Sequence, residues 1–203
     1  TSGLYAGREI LFGFSEGRGV DILDVTDKGN MFLLSRTSYP GVDYCHQGWT
    51  TPDRKFLYVN DELDEGDPGV PTTRTLIFNI EDLSSPQFVG TFTTGEQSRD
   101  HNLYIDECVM FEANYSSGLR VVNIANPLVP VEVGYYDTFP ENSSVNFDGA
   151  TILEPAIDPP LDALVVQLYH QTMDQRVTAG RPAGDSHTGR HLYHQLRAAG
   201  VEV

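Results

Sequence analysis

A pattern of short apolar segments, each bounded by turn residues, recurs along this chain at a nearly constant interval. Its clearest copy spans residues 100–137, where four segments follow one another at 101–105, 108–113, 119–124 and 131–136. Asn114 and Gly118 supply one of the turns, and Pro127 interrupts the chain before the last segment. The second segment is almost continuously apolar, as in a buried strand, whereas the fourth alternates with a period of two, as in a half-exposed strand. The stretch therefore predicts a four-stranded β-meander.

Two further copies of this pattern precede it. Equivalent positions in successive copies are marked by two series of residues: Asp24, Asn79 and Asn123, and His46, His101 and Asn146. The intervals are 55 and 44 residues in the first series and 55 and 45 in the second, and the extra residues of the longer interval lie in one insertion at 61–73. Repeats of about 40–50 residues are typical of β-propeller blades. An all-β sandwich is the alternative, but it does not explain why the two series keep the same intervals.

We therefore predict an all-β fold, a partial β-propeller of about three four-stranded antiparallel blades. The blades are expected at about residues 7–40, 46–95 and 101–140, the first without its inner strand, and another begins at 146. Closure of a propeller needs about four to eight blades, so we expect this chain of 203 residues to be a fragment of a larger propeller. Residues 151–203 leave the pattern and are expected to form an irregular tail, disordered or foreign to the propeller, with a short helix or strand at 161–173.

The charge of the chain excludes some partners. The net charge is −16 at pH 7, and a nucleic-acid partner is not expected, because phosphate binding requires clusters of Lys and Arg. No run of about 18 apolar residues is present, so no transmembrane segment is predicted, and no signal peptide is found. The repeat places Cys45 and Cys108 at different ends of neighbouring blades, and no disulfide is expected between them.

Short stretches of the three copies and of the start of the next one carry a family resemblance. They lie at residues 22–27 (ILDVTD), 35–39, 46–49 (HQGW), 61–65 (DELDE), 100–102 (DHN), 113–115, 118–120 and 146–150 (NFDGA). Together they resemble the LVIVD-repeat β-propellers, and within that group the choice-of-anchor B proteins. The resemblance covers about residues 7–150 and implies a secreted protein held at the cell surface by an interchangeable C-terminal anchor. It implies no particular activity.

His46 and His101 are the candidate metal ligands. Both open innermost strands, which converge on the axis of a propeller, and imidazole is a common ligand for transition metals. Asp100 and Asn146 lie beside or at equivalent positions and are candidate ligand-binding residues. The layout resembles copper-binding propeller oxidases of the selenium-binding-protein type only at the level of the fold. The alternative is structural, with the imidazoles bonded to neighbouring backbone and fixing the inner strands.

Two other groups of polar residues are candidate metal sites. The loop at 61–67 holds five carboxylates and a Gly turn, and hard cations such as Ca²⁺ take several oxygen ligands. The candidate calcium ligands are Asp61, Asp64 and Asp67. A solvated run of charge is the alternative. Three histidines of the tail share one face if their segment is helical, but they lack the adjacent Glu of a zinc-protease motif: His187, His191 and His194.

Two functions follow from these residues. The first, which the sequence favours, is a non-enzymatic binding module, extracellular or at the cell surface, whose partner is a protein, a glycan or a small ligand. The second is a metal-dependent, copper-like propeller enzyme that uses the channel-facing His46 and His101 with histidines from further blades. The sequence contains no Gly-rich phosphate loop, and no Ser-His-Asp arrangement is supported by it. No catalytic residue is therefore predicted.

Overall fold

The computed structural model describes residues 5–141 and 144–150, together with two short strands further along. These are β12 (Val177–Thr178) and β13 (Arg181–Pro182), which pair in antiparallel fashion within a unit of their own, Glu154–Val203. The segment expected at 161–173 and the three tail histidines, His187, His191 and His194, lie outside the described residues. Among the residues that are described, no helix has the length and apolar character needed to cross a bilayer.

The first unit, Thr1–Leu153, is built from three antiparallel sheets. Blade 1 contains β1 (Ile10–Phe14), β2 (Val20–Asp24) and β3 (Phe32–Thr37). Blade 2 contains β4 (Cys45–Thr50), β5 (Phe56–Asp61), β6 (Thr75–Asn79) and β7 (Gln87–Phe92). Blade 3 contains β8 (Asn102–Asp106), β9 (Val109–Ala113), β10 (Leu119–Asn123) and β11 (Val131–Tyr136). Within each sheet every strand pairs with the next in chain order, so the prediction of an all-β partial propeller is confirmed. Blade 1 has three strands among the described residues.

A β-bulge recurs at the same place in all three sheets. The pairing register between the two outermost strands shifts after Ile22 in blade 1, after Ile77 in blade 2 and after Val121 in blade 3. These positions are 55 and 44 residues apart, as are the equivalent residues of the sequence repeat. A bulge bends and twists the strand that carries it, so the three sheets share one irregularity as well as one strand order.

The turn that precedes the outermost pair is also repeated in blades 1 and 3. The Ser15 N–H donates to the Gly19 carbonyl oxygen at 2.8 Å, and the Asn114 N–H donates to the Gly118 carbonyl oxygen at 2.9 Å. Both glycines have a positive φ, +88° and +78°, and lie against backbone of the outermost strand and its continuation, where a side chain would clash. In blade 2 the insertion takes the place of this turn and includes a short 3-10 helix, Asp64–Gly66.

The alternation of side chains along β5 joins blade 2 to both of its neighbours. Leu57 and Val59 pack into an apolar cluster shared with blade 1, whereas Tyr58 between them packs into a second cluster shared with blade 3. All three side chains are buried. Blade 2 is thus covered on both faces, which explains its almost continuously apolar central strands. The outermost strand of blade 3 is largely exposed, with Tyr135 at 65%.

Side chains also hold the inner strands of blades 2 and 3 together. The Gln47 amide donates to the Leu103 carbonyl oxygen at 2.8 Å and accepts from the Leu103 N–H at 2.9 Å. Trp49 packs edge-on against Tyr104, with ring centroids 5.1 Å apart. Blade 1 has no inner strand among the described residues, and a cavity of about 660 Å³ lies between β1 and the first two strands of blade 2.

The two cysteines lie in different blades. Cys45 is buried at the first position of β4, and this burial raises the pKa of its thiol to about 11. Cys108 is exposed in the turn between β8 and β9. Both thiols are free.

Candidate functional site

Two imidazoles and a carboxylate meet where the inner strands of blades 2 and 3 begin. His46 is the second residue of β4, His101 immediately precedes β8, and Glu62 immediately follows β5. His46 stands at a bulge, because its two neighbours along β4 pair with consecutive residues of β5. Bulges redirect side chains away from the direction that the regular pleat would give them. The structure therefore brings the two predicted histidines together and adds Glu62 to them.

Both imidazoles face the Glu62 carboxylate. His46 Nδ1 is 3.6 Å from Glu62 Oε2, and His101 Nε2 is 3.5 Å from Glu62 Oε1. The two rings are stacked, with centroids 4.7 Å apart and planes inclined by 16°. The three side chains together offer ligand atoms that all lie within 4.8 Å of one another. They are partly buried, with 29% of His46 and 13% of Glu62 and His101 exposed.

Aromatic side chains surround this group. The Tyr115 hydroxyl donates a hydrogen bond to Glu62 Oε1, and the Tyr115 ring lies 4.7 Å from the His101 ring. Phe147 packs edge-on against Tyr115 with a centroid distance of 5.2 Å, and Tyr44 stacks on His46 at 5.8 Å. The apolar rings reduce the access of water to the carboxylate, which strengthens its interaction with any positive charge.

The two residues predicted to bind a ligand beside the histidines have other surroundings. Asp100 is buried and is grouped with carboxylates of the blade 2 insertion. The Asn146 amide donates to the Asp148 carboxylate at 3.0 Å. Ala150 forms an antiparallel bridge with Tyr115, as Cys45 does with Glu16. Glu16 and Tyr115 occupy equivalent turns, so this bridge makes position 150 the equivalent of position 45. The sequence repeat had instead aligned position 146 with position 46.

The three predicted calcium ligands are not gathered into one group. Asp61 is buried and accepts hydrogen bonds from the Tyr39 hydroxyl at 2.9 Å and from three backbone N–H groups, so it anchors the entry into blade 2. Asp67 is exposed and accepts a backbone N–H within its own turn at 2.8 Å. Asp64 is buried and paired with Arg74 at 2.5 Å.

Asp64 instead forms a buried group with Glu65 and Asp100. Burial raises the pKa of Asp64 to about 7, against the opposing effect of the Arg74 guanidinium. Burial also raises the pKa of Glu65 to about 8 and that of Asp100 well above its usual range. The sequence did not single out Glu62 or Glu65, and the only signal for either was its position in the acidic run at 61–67.

Comparisons with known proteins add little to this description. No protein-family model matches the sequence, and no curated protein matches it. A functionally unknown protein from Desulfotomaculum acetoxidans DSM 771 is similar in structure, with a TM-score of 0.48 and 19% identity over 70% of this chain and 43% of that chain. A periplasmic gluconolactonase of Pseudomonas aeruginosa gives a TM-score of 0.34 and 13% identity over 64% of this chain and 54% of that one. This chain thus spans about half the length of these proteins, and its class, a β-propeller, follows from its own sheets.

Proposed function

We propose that this chain is a sector of a β-propeller that binds a divalent transition metal near the propeller axis, with His46, Glu62 and His101 as its protein ligands. The role proposed for the three side chains is metal binding, and no step of a reaction is assigned to them. The stretches that resemble the choice-of-anchor B proteins support a module displayed at the cell surface. That location is part of the proposal.

The separation of the nitrogen and oxygen atoms carries the proposal. Ligand atoms about 2.1 Å from one tetrahedral ion lie about 3.4 Å from each other. The two imidazole–carboxylate distances here are 3.5 and 3.6 Å. Direct hydrogen bonds would shorten them to about 2.7–3.2 Å. The two spacings therefore match those of ligands around one ion and are longer than direct hydrogen bonds between the imidazoles and the carboxylate.

The chemistry of the donor set fits the same ion. Two neutral imidazoles and one carboxylate are a common ligand set for Zn²⁺ and other divalent transition metals, and they leave coordination positions open. Tyr115 would orient Glu62 from outside the coordination sphere, as hydrogen-bonded partners of metal ligands usually do. Arg99 donates to the Glu62 carbonyl oxygen at 2.8 Å and fixes the backbone on which that carboxylate is carried.

Calorimetric titration of the purified, chelator-treated chain with Zn²⁺ and with Cu²⁺ tests the proposal. We expect about one equivalent bound per chain. His46→Asn and His101→Gln are the informative variants, because each amide keeps a polar atom near the nitrogen that faces Glu62 but is a poor metal ligand. Each should weaken binding by roughly tenfold or more, while the thermal midpoint without metal stays near that of the unsubstituted chain.

His194→Asn is the matched control, since it removes a histidine of the tail and should leave the affinity unchanged. Two results would contradict the proposal: no metal bound by a chain whose circular dichroism shows intact strands, or undiminished binding by the double variant of His46 and His101. Either result would favour the structural alternative, in which the imidazoles hydrogen-bond neighbouring backbone and fix the inner strands.

A further inference from the structure

A second polar group is buried between blades 2 and 3, separate from the histidines. Asp64 and Glu65 belong to the 3-10 helix after β5, and Asp100 lies two residues before β8. Their side chains are 0%, 6% and 0% exposed. A carboxylate oxygen from each lies within 4.8 Å of those from the other two. Three carboxylates in such an enclosed space repel one another strongly unless positive charge or protons are shared among them.

The available donors satisfy only one oxygen of each carboxylate. The Arg74 guanidinium donates to Asp64 Oδ2 at 2.8 and 2.5 Å, and the Arg74 backbone N–H donates to Asp100 Oδ2 at 2.9 Å. The Asp100 N–H donates to Glu65 Oε1 at 2.7 Å. The second oxygens, Asp64 Oδ1, Glu65 Oε2 and Asp100 Oδ1, are buried and have no hydrogen-bond partner. Native proteins rarely leave one buried acceptor in this state, and here three occur in one group.

We propose that Asp64, Glu65 and Asp100 bind a Ca²⁺ ion that joins blade 2 to blade 3. Three carboxylates against the single guanidinium of Arg74 leave two negative charges, which one divalent cation balances. A donor set made only of oxygens favours a hard cation, and two oxygens at about 2.3–2.6 Å from one Ca²⁺ are at most about 5 Å apart. The observed limit of 4.8 Å satisfies this condition.

Further charges around the group do not remove the excess of negative charge. Against the effect of burial, the positive charge of Arg99 lowers the pKa of Glu65. The negative charges of Asp43 and Asp61 further raise the pKa of Asp64, and that of Glu112 further raises the pKa of Asp100. Of the calcium ligands predicted from the sequence, only Asp64 belongs to this set. Glu65 and Asp100 take the places of the other two. The bound ion would tie the blade 2 insertion to the residue that precedes His101, and so would fix two of the segments that build the histidine site.

Titration of the chelator-treated chain with Ca²⁺ at pH 8 tests this proposal. One equivalent should bind, and the thermal midpoint should rise by roughly 5–10 °C when free Ca²⁺ is about 100 times the dissociation constant. Glu65→Gln and Asp100→Asn keep the size of the side chain and remove one charge. Each should weaken Ca²⁺ binding by roughly tenfold or more. Each should also raise the midpoint of the calcium-free chain, because a buried charge without a partner is lost.

Asp67→Asn and His46→Asn are the controls. The first changes an exposed acid of the same loop, and the second changes the histidine site, and neither should alter Ca²⁺ affinity by more than about twofold. Loss of binding in Asp67→Asn with normal binding in Glu65→Gln would overturn the assignment of ligands. If the folded chain binds no Ca²⁺ at millimolar concentration, the proposal is wrong and protons alone satisfy the three oxygens. Because His46→Asn affects only the transition-metal site, failure of one proposal is distinguishable from failure of the other.

Discussion

Replacement of Gln47 by Ala should loosen the junction between the inner strands of blades 2 and 3. The Gln47 amide makes two hydrogen bonds with Leu103, one to its carbonyl oxygen and one from its N–H. These backbone groups lie on the edge of β8 that faces away from β9, and strand edges must be satisfied or covered. Leu103 itself is 0% exposed, so water can replace the lost amide only in part.

The magnitude follows from these two bonds. A hydrogen bond of this kind contributes about 0.5–1.5 kcal/mol net, and a buried group left unpaired costs about 1–3 kcal/mol. We expect the free energy of unfolding of Gln47→Ala to fall by about 2–3 kcal/mol. For a chain of this size each kcal/mol lowers the thermal midpoint by about 2–4 °C, so the expected drop is about 4–12 °C.

Replacement of Gln47 by Glu should change the stability of the chain in a way that depends on pH. A carboxylate keeps an acceptor for the Leu103 N–H but places negative charge against the Leu103 carbonyl oxygen, whereas the protonated acid restores the donor. The folded-state pKa of the new residue should therefore be raised above its unfolded value of about 4.3. The stability of the variant relative to the parent is then highest below about pH 4 and is lost as pH rises through the folded pKa.

Urea unfolding followed by circular dichroism, repeated from pH 4 to pH 8, measures both effects against the parent chain. If Gln47→Ala unfolds within about 0.5 kcal/mol of the parent, the amide does not stabilise the edge of β8. A difference between Gln47→Glu and the parent that does not change with pH would contradict the contact with the Leu103 carbonyl oxygen.

Three further substitutions test the packing and charges of the blades. Gly48→Ala should lower stability by about 1–3 kcal/mol, because a Cβ there would collide with the Tyr58 carbonyl oxygen and would lie 2.7 Å from the Phe14 ring of blade 1; an unchanged thermal midpoint would contradict these contacts. Met110→Ala, in the apolar cluster between blades 2 and 3, should cost about 2–5 kcal/mol in urea unfolding. Hydrogen bonds from Thr26 and from Arg8 lower the pKa of Asp24 to about 2, so its contribution is present above about pH 4 and is lost as pH falls toward 2. Asp24→Asn should therefore flatten the acid limb of the stability profile measured by thermal melts.

The strand order of this protein could be predicted from its sequence because blades are local structures. Each strand pairs with the next along the chain, so apolar segments and turn residues within about 45 residues specify a whole sheet. The same property explains why the intervals of 55 and 44 residues reappear as the spacing of the bulges after Ile22, Ile77 and Val121. It also explains why Gly19 and Gly118 mark equivalent turns.

The proximity of the two histidines could also be predicted, because the repeat assigns them equivalent positions at the starts of inner strands. The carboxylate that faces both of them could not be predicted. Glu62 comes from the end of another strand, and it approaches His101 only because blade 2 packs beside blade 3. Its sequence neighbourhood, an acidic run, gave no reason to prefer it to Asp61 or Asp67.

The acidic loop shows most clearly what the sequence determined and what it left to the tertiary structure. The sequence determined that five carboxylates lie within seven residues, and thereby that repulsion has to be relieved there. Only the packing of blades decided that Asp64 and Glu65 are buried against Asp100 while Asp67 stays in water. The physical reason is that a carboxylate's affinity for protons or cations depends on its desolvation and on charges within a few ångströms. Both are set by neighbours from distant parts of the chain.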